Sequence, residues 1–130
     1  HRAMTMFRIL LAEDDRSMRE YLQRALQRVG YDVSAVACGT EAVPLLKAGR
    51  FDLILMDIMM PVMSGLEATR RIRAMDRSDA AEIPIFAMTA NAFAEDIALS
   101  REAGVNEHVP KPLDFEQLAV LIHRYCAKKE

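Results

Sequence analysis

An aspartate at the end of an apolar run is the first residue of this sequence that could do chemistry. The segment Phe51–Asp57 reads FDLILMD, and its residues Leu53–Met56 are large and apolar without polar alternation. This pattern is typical of a strand that is covered on both faces in a parallel sheet. Ligands of open α/β sheets bind just beyond the carboxyl ends of the strands. Asp57 is therefore a candidate reactive group, and the alternative is an acid that only begins a turn.

Other polar side chains follow apolar runs in the same way. The runs Phe7–Ala12 and Ile83–Met88 predict two further strands, Asp32–Val36 predicts another, and His108 with Val109 predicts a very short last one. In a parallel sheet, whatever follows each strand lies on one edge of the sheet. The residues that this arrangement brings to one edge are Glu13, Asp14, Asp57, Thr89 and Lys111.

Segments with helical spacing separate the predicted strands. The predicted helices run from Ser17 to Gly30, from Thr40 to Gly49, from about Leu66 to Met75, from about Ala92 to Ala103, and from Asp114, as the N-cap, to Tyr125. Ser17 with Glu20 has the form of a capping box, and residues 77–82 are predicted to be a polar connection. Five strands alternating with five helices predict an α/β fold, a doubly wound parallel sheet with helices on both faces.

The predicted edge has a chemistry of its own. Three carboxylates that converge repel one another by roughly 4 kcal/mol per close pair at an effective dielectric near 20. A divalent ion such as Mg²⁺, which prefers carboxylate and water oxygens, would relieve this repulsion. With Lys111 as a compact cation and Thr89 as a hydroxyl donor, the group suits a phosphoryl transfer, in which positioning and charge neutralisation dominate. Asp57 would then be the nucleophile that forms an acyl phosphate.

Four motifs carry a resemblance to a known family. They are LLAEDD at residues 10–15, LMDIMMP at 55–61 with Ser64 and Gly65, MTA at 88–90, and VPKP at 109–112. Together they resemble the signature of response-regulator receiver domains of two-component signalling, in the family's order and spacing over nearly the whole chain. The resemblance implies a flavodoxin-like, CheY-like fold with the strand order 2-1-3-4-5.

The resemblance also implies a role for each matching residue. Asp57 matches the phosphoacceptor, Thr89 the hydroxyl that turns toward the phosphoryl group, and Lys111 the lysine that pairs with it. The Mg²⁺ ligands that it implies are Glu13, Asp14, Asp57 and the backbone carbonyl of Met59, with Glu13 acting mostly through metal-bound water. The Lys111–Pro112 bond stands at the place of the family's cis peptide.

Three further residues lie beside the implied site. His108 stands where the family usually has a Tyr or Phe that swings between exposed and buried positions. The alternative to such a switch role is an ordinary surface histidine. A histidine there would make the switch sensitive to pH, because its reference pKa is near 6.5. Asn91 flanks the approach of water to the acyl phosphate, as Met59 does, and Pro112 follows the lysine.

The implied function is that of a phosphoacceptor in a bacterial two-component system or phosphorelay, which catalyses only its own phosphorylation and dephosphorylation and is otherwise not an enzyme. Its partners would be a histidine kinase or a histidine phosphotransfer domain on the input side, and an output domain, an effector protein or a phosphorylation-dependent homodimer mate on the output side. The chain would be a stand-alone regulator, the receiver of a DNA-binding response regulator, or the receiver of a hybrid histidine kinase.

Competing functions remain open at this stage. An aspartyl-phosphate phosphatase usually has a second acid two residues after the nucleophile, where this sequence has Met59. A flavin- or nucleotide-binding domain would need a glycine-rich loop after the first strand, and none is there. A pseudo-receiver that serves only as an interaction module is disfavoured, because the aspartate, threonine and lysine are all present.

The composition limits the class of protein further. The 130 residues, with 52% hydrophobic and 28% charged residues, fit a single globular domain. We predict a receiver domain over residues 6–127, a remnant of cloning at 1–5 and a short tail at 128–130. The net charge of -2 gives no reason to expect nucleic-acid binding. Two cysteines without metal-ligand spacing, and no signal peptide or apolar run of membrane-spanning length, predict a cytoplasmic protein.

Overall fold

Strands and helices alternate along the chain in this computed structural model, which describes residues 6–60, 63–90 and 94–127. The strands are β1 (Arg8–Ala12), β2 (Asp32–Val36), β3 (Leu53–Asp57), β4 (Ile85–Thr89) and β5 (Glu107–Pro110). The helices are α1 (Arg16–Val29), α2 (Gly39–Ala48), α3 (Gly65–Arg73), α4 (Ser78–Glu82), α5 (Ala94–Ala103) and α6 (Phe115–Cys126). All neighbouring strands are parallel, and their order is β2-β1-β3-β4-β5. The predicted doubly wound, flavodoxin-like architecture is confirmed.

The described residues hold six helices, one more than predicted. The additional helix α4 lies within residues 77–82, where the sequence predicted a polar connection. It forms because Ala80 packs into the core, where it is only 3% exposed, and because alanine has the highest helix propensity. The last two predicted helices correspond to α5 and α6.

The sheet is buried on both faces, which explains its continuous apolar runs. All five residues of β3 are buried. Alternate side chains enter two hydrophobic clusters: Leu10 and Ile54 pack with α2 and α3, whereas Ile9 and Leu53 pack with α1 and α6. A one-residue shift in register would exchange the side chains between the two clusters.

The helix starts differ in detail from the predicted ones. Asp15, not Ser17, is the N-cap of α1, and its side chain accepts a 2.8 Å hydrogen bond from the Met18 amide. Of the three acids after β1, Asp15 therefore caps α1, whereas Glu13 and Asp14 lie at the carboxyl edge of the sheet. At α2 the N-cap is Cys38 rather than Thr40. The predicted cap of α6 is confirmed, since Asp114 accepts hydrogen bonds from the Glu116 and Gln117 amides.

Neither cysteine of the chain forms a disulfide. Cys38 lies in the loop after β2 with its Sγ 2.9 Å from the Thr40 hydroxyl. Cys126 is buried, and its Sγ lies 3.6 Å from the Asp52 carbonyl oxygen. Within the described ranges, the helices are all too short or too polar to cross a membrane.

Gly65 allows α3 to begin against the end of β3. A Cβ atom at this position would lie 2.6 Å from the Asp57 carbonyl oxygen and 2.9 Å from the Ile58 Cα. The Gly65 amide donates a 2.9 Å hydrogen bond to the Ile58 carbonyl. Both close contacts are with backbone, which cannot rotate away as a side chain can. Gly65 is therefore the residue that sets the distance between α3 and the end of β3.

We predict that Gly65→Ala destabilises the fold by about 1–3 kcal/mol, because the added methyl group must displace the backbone at Asp57. Urea denaturation measures the change. Gly49→Ala is the matched control, since its Cβ would lie 3.8 Å from the nearest atom, the end of the flexible Arg8 side chain. It should change stability by less than about 0.5 kcal/mol. Equal midpoints for the two variants would contradict the proposed close contact.

Candidate functional site

Acidic side chains from two neighbouring strands meet at the carboxyl edge of the sheet. Glu13 and Asp14 follow β1, and Asp57 is the last residue of β3, which pairs with β1. One carboxylate oxygen from each of the three residues lies within 4.8 Å of the other two. Glu13 and Asp57 are buried, with 1% and 5% of their surface exposed, whereas Asp14 is exposed. The structure thus brings together the three acids that the sequence predicted at this edge.

Both carboxylate oxygens of Asp57 have a hydrogen-bond donor. The Met59 amide donates a 2.9 Å bond to Oδ1, and the Lys111 Nζ donates a 2.9 Å bond to Oδ2. The first bond closes a tight turn immediately after the strand, as Asp side chains often do. Together the two bonds fix the orientation of the carboxylate. Asp57 is thus a nearly buried carboxylate with a fixed orientation rather than a mobile surface acid.

Lys111 joins two of the acids. Its Nζ lies 2.9 Å from Asp57 Oδ2 and 3.0 Å from Glu13 Oε1. Burial acts to lower the pKa of Lys111, but the hydrogen bonds to Asp57 and Glu13 outweigh it and raise this pKa above its usual value. Burial raises the pKa of Glu13, and the charge of Asp57 adds to this effect, although the hydrogen bond from Lys111 opposes it. Lys111 thus places a positive charge between the two buried acids of the pocket.

The donor set suits a hard divalent cation. Mg²⁺ binds oxygen ligands at about 2.1 Å, so two ligands on opposite sides of the ion are roughly 4.2 Å apart. Carboxylate oxygens within 4.8 Å of one another need only small adjustments to reach that spacing. The exposure of Asp14 leaves one side of the pocket open to water, and Mg²⁺ usually retains several water ligands. Glu13, Asp14 and Asp57 therefore could hold the ion.

Thr89 and Lys111 are connected through the backbone. Thr89 is the last residue of β4, is 6% exposed, and lies one position beyond Met88, the register partner of Asp57. Its carbonyl accepts a 2.9 Å hydrogen bond from the Lys111 amide. Pro110 is the register partner of Thr89, and this bond follows the regular parallel ladder, in which the Ile58 amide likewise donates to the carbonyl of Met88, the partner of Asp57. β5 is an edge strand, as predicted, and the Lys111–Pro112 peptide is cis.

His108 on β5 is the register partner of Ala87 on β4. Ala87 and Thr89 are two positions apart on β4 and therefore share a face of the sheet, so His108 lies on the same face as Thr89. It is partly buried, and its Nε2 has no hydrogen-bond partner among the described residues. Burial lowers the pKa of His108, the positive charge of Arg101 lowers it further, and Glu107 opposes both. His108 is thus a partly buried side chain whose Nε2 is turned away from solvent near the edge of the sheet. Asn91 lies outside the described residues.

Two residues that shape the site were not predicted to do so. The Arg19 guanidinium donates hydrogen bonds to the backbone carbonyls of Glu13 at 2.9 Å and Asp14 at 3.3 Å. Arg19 therefore fixes the loop that carries both acids. Gly65 packs against the Asp57 carbonyl, as described above. Sequence reasoning noted Gly65 only as part of a motif and did not single out Arg19, because backbone carbonyls are acceptors at every position.

Solved structures resemble this chain over nearly its full length. The receiver domain of sensor histidine kinase PA1611 from Pseudomonas aeruginosa, with a magnesium ion coordinated in its active site cleft, is 36% identical, with a TM-score of 0.86 over 95% of this chain and 99% of that one. The receiver domain of the Saccharomyces cerevisiae response regulator Ssk1, co-crystallised with the histidine phosphotransfer signaling protein Ypd1, is 27% identical, with a TM-score of 0.86. That comparison covers 95% of this chain and 91% of the solved one.

Sequence comparisons agree with the structural ones. Response regulator MprA of Mycolicibacterium vanbaalenii is 37% identical over 111 residues, which are 85% of this chain and 46% of that protein. The chain thus spans about half the length of the curated relatives that it matches. The sequence model of the response regulator receiver domain matches residues 9–123. The chain therefore belongs to the family of response regulator receiver domains.

Proposed function

We propose that Asp57 accepts a phosphoryl group from a phosphohistidine on a partner protein. The observation that carries this proposal is the setting of the Asp57 carboxylate. It ends a fully buried central strand, is held by the Met59 amide and Lys111, and lies within 4.8 Å of two more carboxylates. This is an unusual concentration of negative charge for a nearly dry position. A phosphoryl acceptor that works with a divalent cation accounts for it.

The proposed transfer forms one bond and breaks one. An Asp57 oxygen attacks phosphorus, a P–O bond forms, and the P–N bond to the partner's imidazole breaks with its electron pair left on nitrogen. Water later attacks the phosphorus and returns phosphate and a free carboxylate. When bound by Glu13, Asp14, Asp57 and the Met59 carbonyl, Mg²⁺ supplies positive charge against the phosphoryl oxygens. Because Asp57 itself is modified, the domain is a signalling phosphoacceptor rather than a turnover enzyme.

Lys111 and Thr89 are proposed to bind the phosphoryl oxygens. In the unphosphorylated pocket the Lys111 ammonium already contacts Asp57 at 2.9 Å, so a phosphoryl group on that carboxylate arrives next to a positive charge. Thr89 stands at the end of the neighbouring strand with a hydroxyl that can donate. New charge-assisted hydrogen bonds to both residues would hold the loop after β4 in a second arrangement.

The output surface is proposed to be the face formed by α5, β5 and α6. His108 lies on this strand, and within the described part of the chain its Nε2 has no hydrogen bond that a movement of the side chain would break. Leu99 on α5 and Val120 on α6 are 49% and 57% exposed, so apolar surface is available for contact. A groove of about 320 Å³ runs between β5 and α6. An output domain, an effector protein or a second phosphorylated copy would bind here.

The input surface is proposed to lie along α1. This helix begins directly after the acidic loop, and Tyr21 on it is 56% exposed. The Tyr21 ring packs edge-on against Phe115 of α6, with 6.0 Å between ring centroids. Exposed aromatic residues with a fixed orientation are frequent anchors of protein interfaces. The similarity to Ssk1, which was crystallised with a histidine phosphotransfer protein, supports a histidine kinase or a phosphotransfer domain as partner.

The context of the domain is also a proposal. Residues 6–127 would be the receiver unit, and both 1–5 and 128–130 lie outside the described residues. The likeness to the receiver of a sensor kinase favours a hybrid kinase, and the likeness to MprA favours a response regulator. Either setting is consistent with a cytoplasmic domain. The phosphatase alternative is disfavoured because Met59 stands where such enzymes have a second acid.

Incubation with acetyl phosphate and Mg²⁺ should add one phosphate-sized mass to the wild-type protein and none to Asp57→Asn, as read by intact mass spectrometry. The matched control is Asp32→Asn, which removes an exposed carboxylate at the start of β2. Asp32 therefore lies at the amino ends of the strands, away from the acidic pocket. It should gain the same mass as wild type, and EDTA should abolish the gain. A gain in Asp57→Asn, or in none of the proteins, would contradict the proposal.

The free energy of unfolding should depend on pH through His108. Because its folded pKa lies below 6.5, the unfolded chain binds a proton more readily, and stability is lost as pH falls through 6.5 toward the folded pKa. We expect wild type to lose more stability than His108→Phe between pH 7.5 and 5.5 in urea titrations. The carboxylates common to both proteins cancel in this comparison. Equal losses would show that His108 is not held neutral in the fold.

A further inference from the structure

Arg73, at the end of α3, donates hydrogen bonds to three different segments. Its Nε and one Nη contact the Gly104 carbonyl at 3.1 and 2.8 Å, and the same Nη contacts Asn106 Oδ1 at 2.8 Å. Its other Nη contacts the Ala80 carbonyl at 3.1 Å. One guanidinium group therefore joins α3 to α4, to the end of α5 and to the residue before β5.

The acceptors of Arg73 are oxygens of neutral groups. No carboxylate lies within 4.0 Å of this guanidinium in the part of the chain that the structure describes, although the side chain is partly buried. Gly104 directly follows α5, where carbonyl oxygens without helical partners carry partial negative charge. A cation at this place stabilises the helix end. The forked shape of arginine, with five donors, suits several acceptors at once.

Gly104 is shaped to receive this side chain. It ends α5 with a φ of +115°, in the left-handed region. A Cβ there would lie 2.8 Å from Arg73 Cγ and 3.0 Å from Arg73 Nε. The stem of Arg73 therefore packs directly on the glycine backbone. Helix end and arginine form a close contact that any larger residue at 104 would disturb.

The C-terminal end of α5 is also held by burial and by backbone hydrogen bonds. Of the α5 residues whose side chains are described, 97–103, the buried ones are Ser100 and Ala103, both in the last four positions. Ala98 and Leu99 are exposed. The amides of Gly104 and Val105 then bond back to the Ser100 carbonyl at 3.1 and 3.0 Å. Described burial and hydrogen bonding thus concentrate at the C-terminal end of α5.

We propose that Arg73 is a positioning residue that fixes the C-terminal end of α5 as a pivot for the signalling motion. This inference rests on the proposed function, in which the loop after Thr89 rearranges on phosphorylation. That loop leads to the N-terminal end of α5, about 15 Å from Gly104 at 1.5 Å per residue. With one end held, a displacement of the loop becomes a tilt of the helix. Without Arg73, the same displacement would shift the whole helix.

Three variants separate this role from a general effect of charge. Arg73→Met removes every hydrogen bond of the fork. Arg73→Lys keeps the charge and most of the stem but cannot reach three acceptors. Arg70→Met is the matched control, because Arg70 lies one turn earlier on the same helix, is 52% exposed and forms an ion pair with Glu67 at 3.6 Å. All three are compared with wild type as the Mg²⁺-loaded protein.

Amide hydrogen exchange, followed residue by residue by NMR with and without beryllofluoride, tests the pivot. In wild type, beryllofluoride should change exchange at residues 97–99 while Gly104 and Val105 stay within about twofold. In Arg73→Met, Gly104 and Val105 should exchange about tenfold faster even without beryllofluoride, which corresponds to losing one or two net hydrogen bonds. The response to beryllofluoride should then extend to Val105. Arg73→Lys should resemble Arg73→Met, and Arg70→Met should resemble wild type.

Several outcomes would overturn the pivot. One is equal exchange at Gly104 in Arg73→Met and Arg70→Met. Another is an acceleration in β1 and β3 as large as that at Gly104, which would mean that Arg73 supports only global stability. If Arg73→Met does not fold, Arg73→Lys provides the same comparison. A wild-type beryllofluoride response spread evenly along α5 would remove only the pivot, whereas no response at all would remove the proposed function and the pivot with it.

Discussion

One balance of charge organises the carboxyl edge of the sheet. Glu13 and Asp57 are almost fully buried, and the Lys111 ammonium lies within 3.0 Å of both. A buried carboxylate without a partner costs several kcal/mol, so the lysine must accompany the two acids when the chain folds. The opposing pKa effects at Glu13 and Lys111 express the same balance, in which burial penalises each charge and the contact between them offsets the penalty.

Only the parallel topology could assemble this balance. Glu13 and Lys111 are 98 positions apart in sequence, and Asp57 and Lys111 are 54 apart. The strand order places β1, β3, β4 and β5 side by side, so that their carboxyl ends meet at one edge. Apolar side chains form the sheet, and the charged residues reach its edge because each one ends its strand or directly follows it. The core thus positions the site without contributing to its chemistry.

The sequence allowed prediction of those parts that depend on apolar periodicity. Continuous runs such as Leu53–Met56 identified buried strands, and the acids after them identified the edge. The exact caps were harder, because Asp15 and Ser17 are both good N-caps and only the geometry of the preceding strand selects between them. The short helix α4 was not predicted, because its five residues are polar residues and alanines and show no helical period of large apolar side chains.

Contacts to backbone carbonyls could not be predicted at all. Arg19 and Arg73 each organise a loop through such carbonyls, and every residue has one, so no pattern of residue types marks them. Gly65 belongs to the same class, because what it avoids is a backbone atom. The tertiary arrangement decides these contacts. They are also the contacts that join the site to the helices around it. The reactive residues could therefore be predicted from the sequence, whereas the contacts that hold them in place could not.

The hydrogen bond from the Lys111 amide to the Thr89 carbonyl makes one unit of the two residues proposed to grip the phosphoryl group. A ligand that pulls on the threonine backbone therefore also drags the lysine, and with it the ammonium that Glu13 needs. If the backbone of one residue moved and that of the other did not, the hydrogen bond between the two strands would lengthen. The backbone at the ends of β4 and β5 is thus a common frame from which both side chains extend.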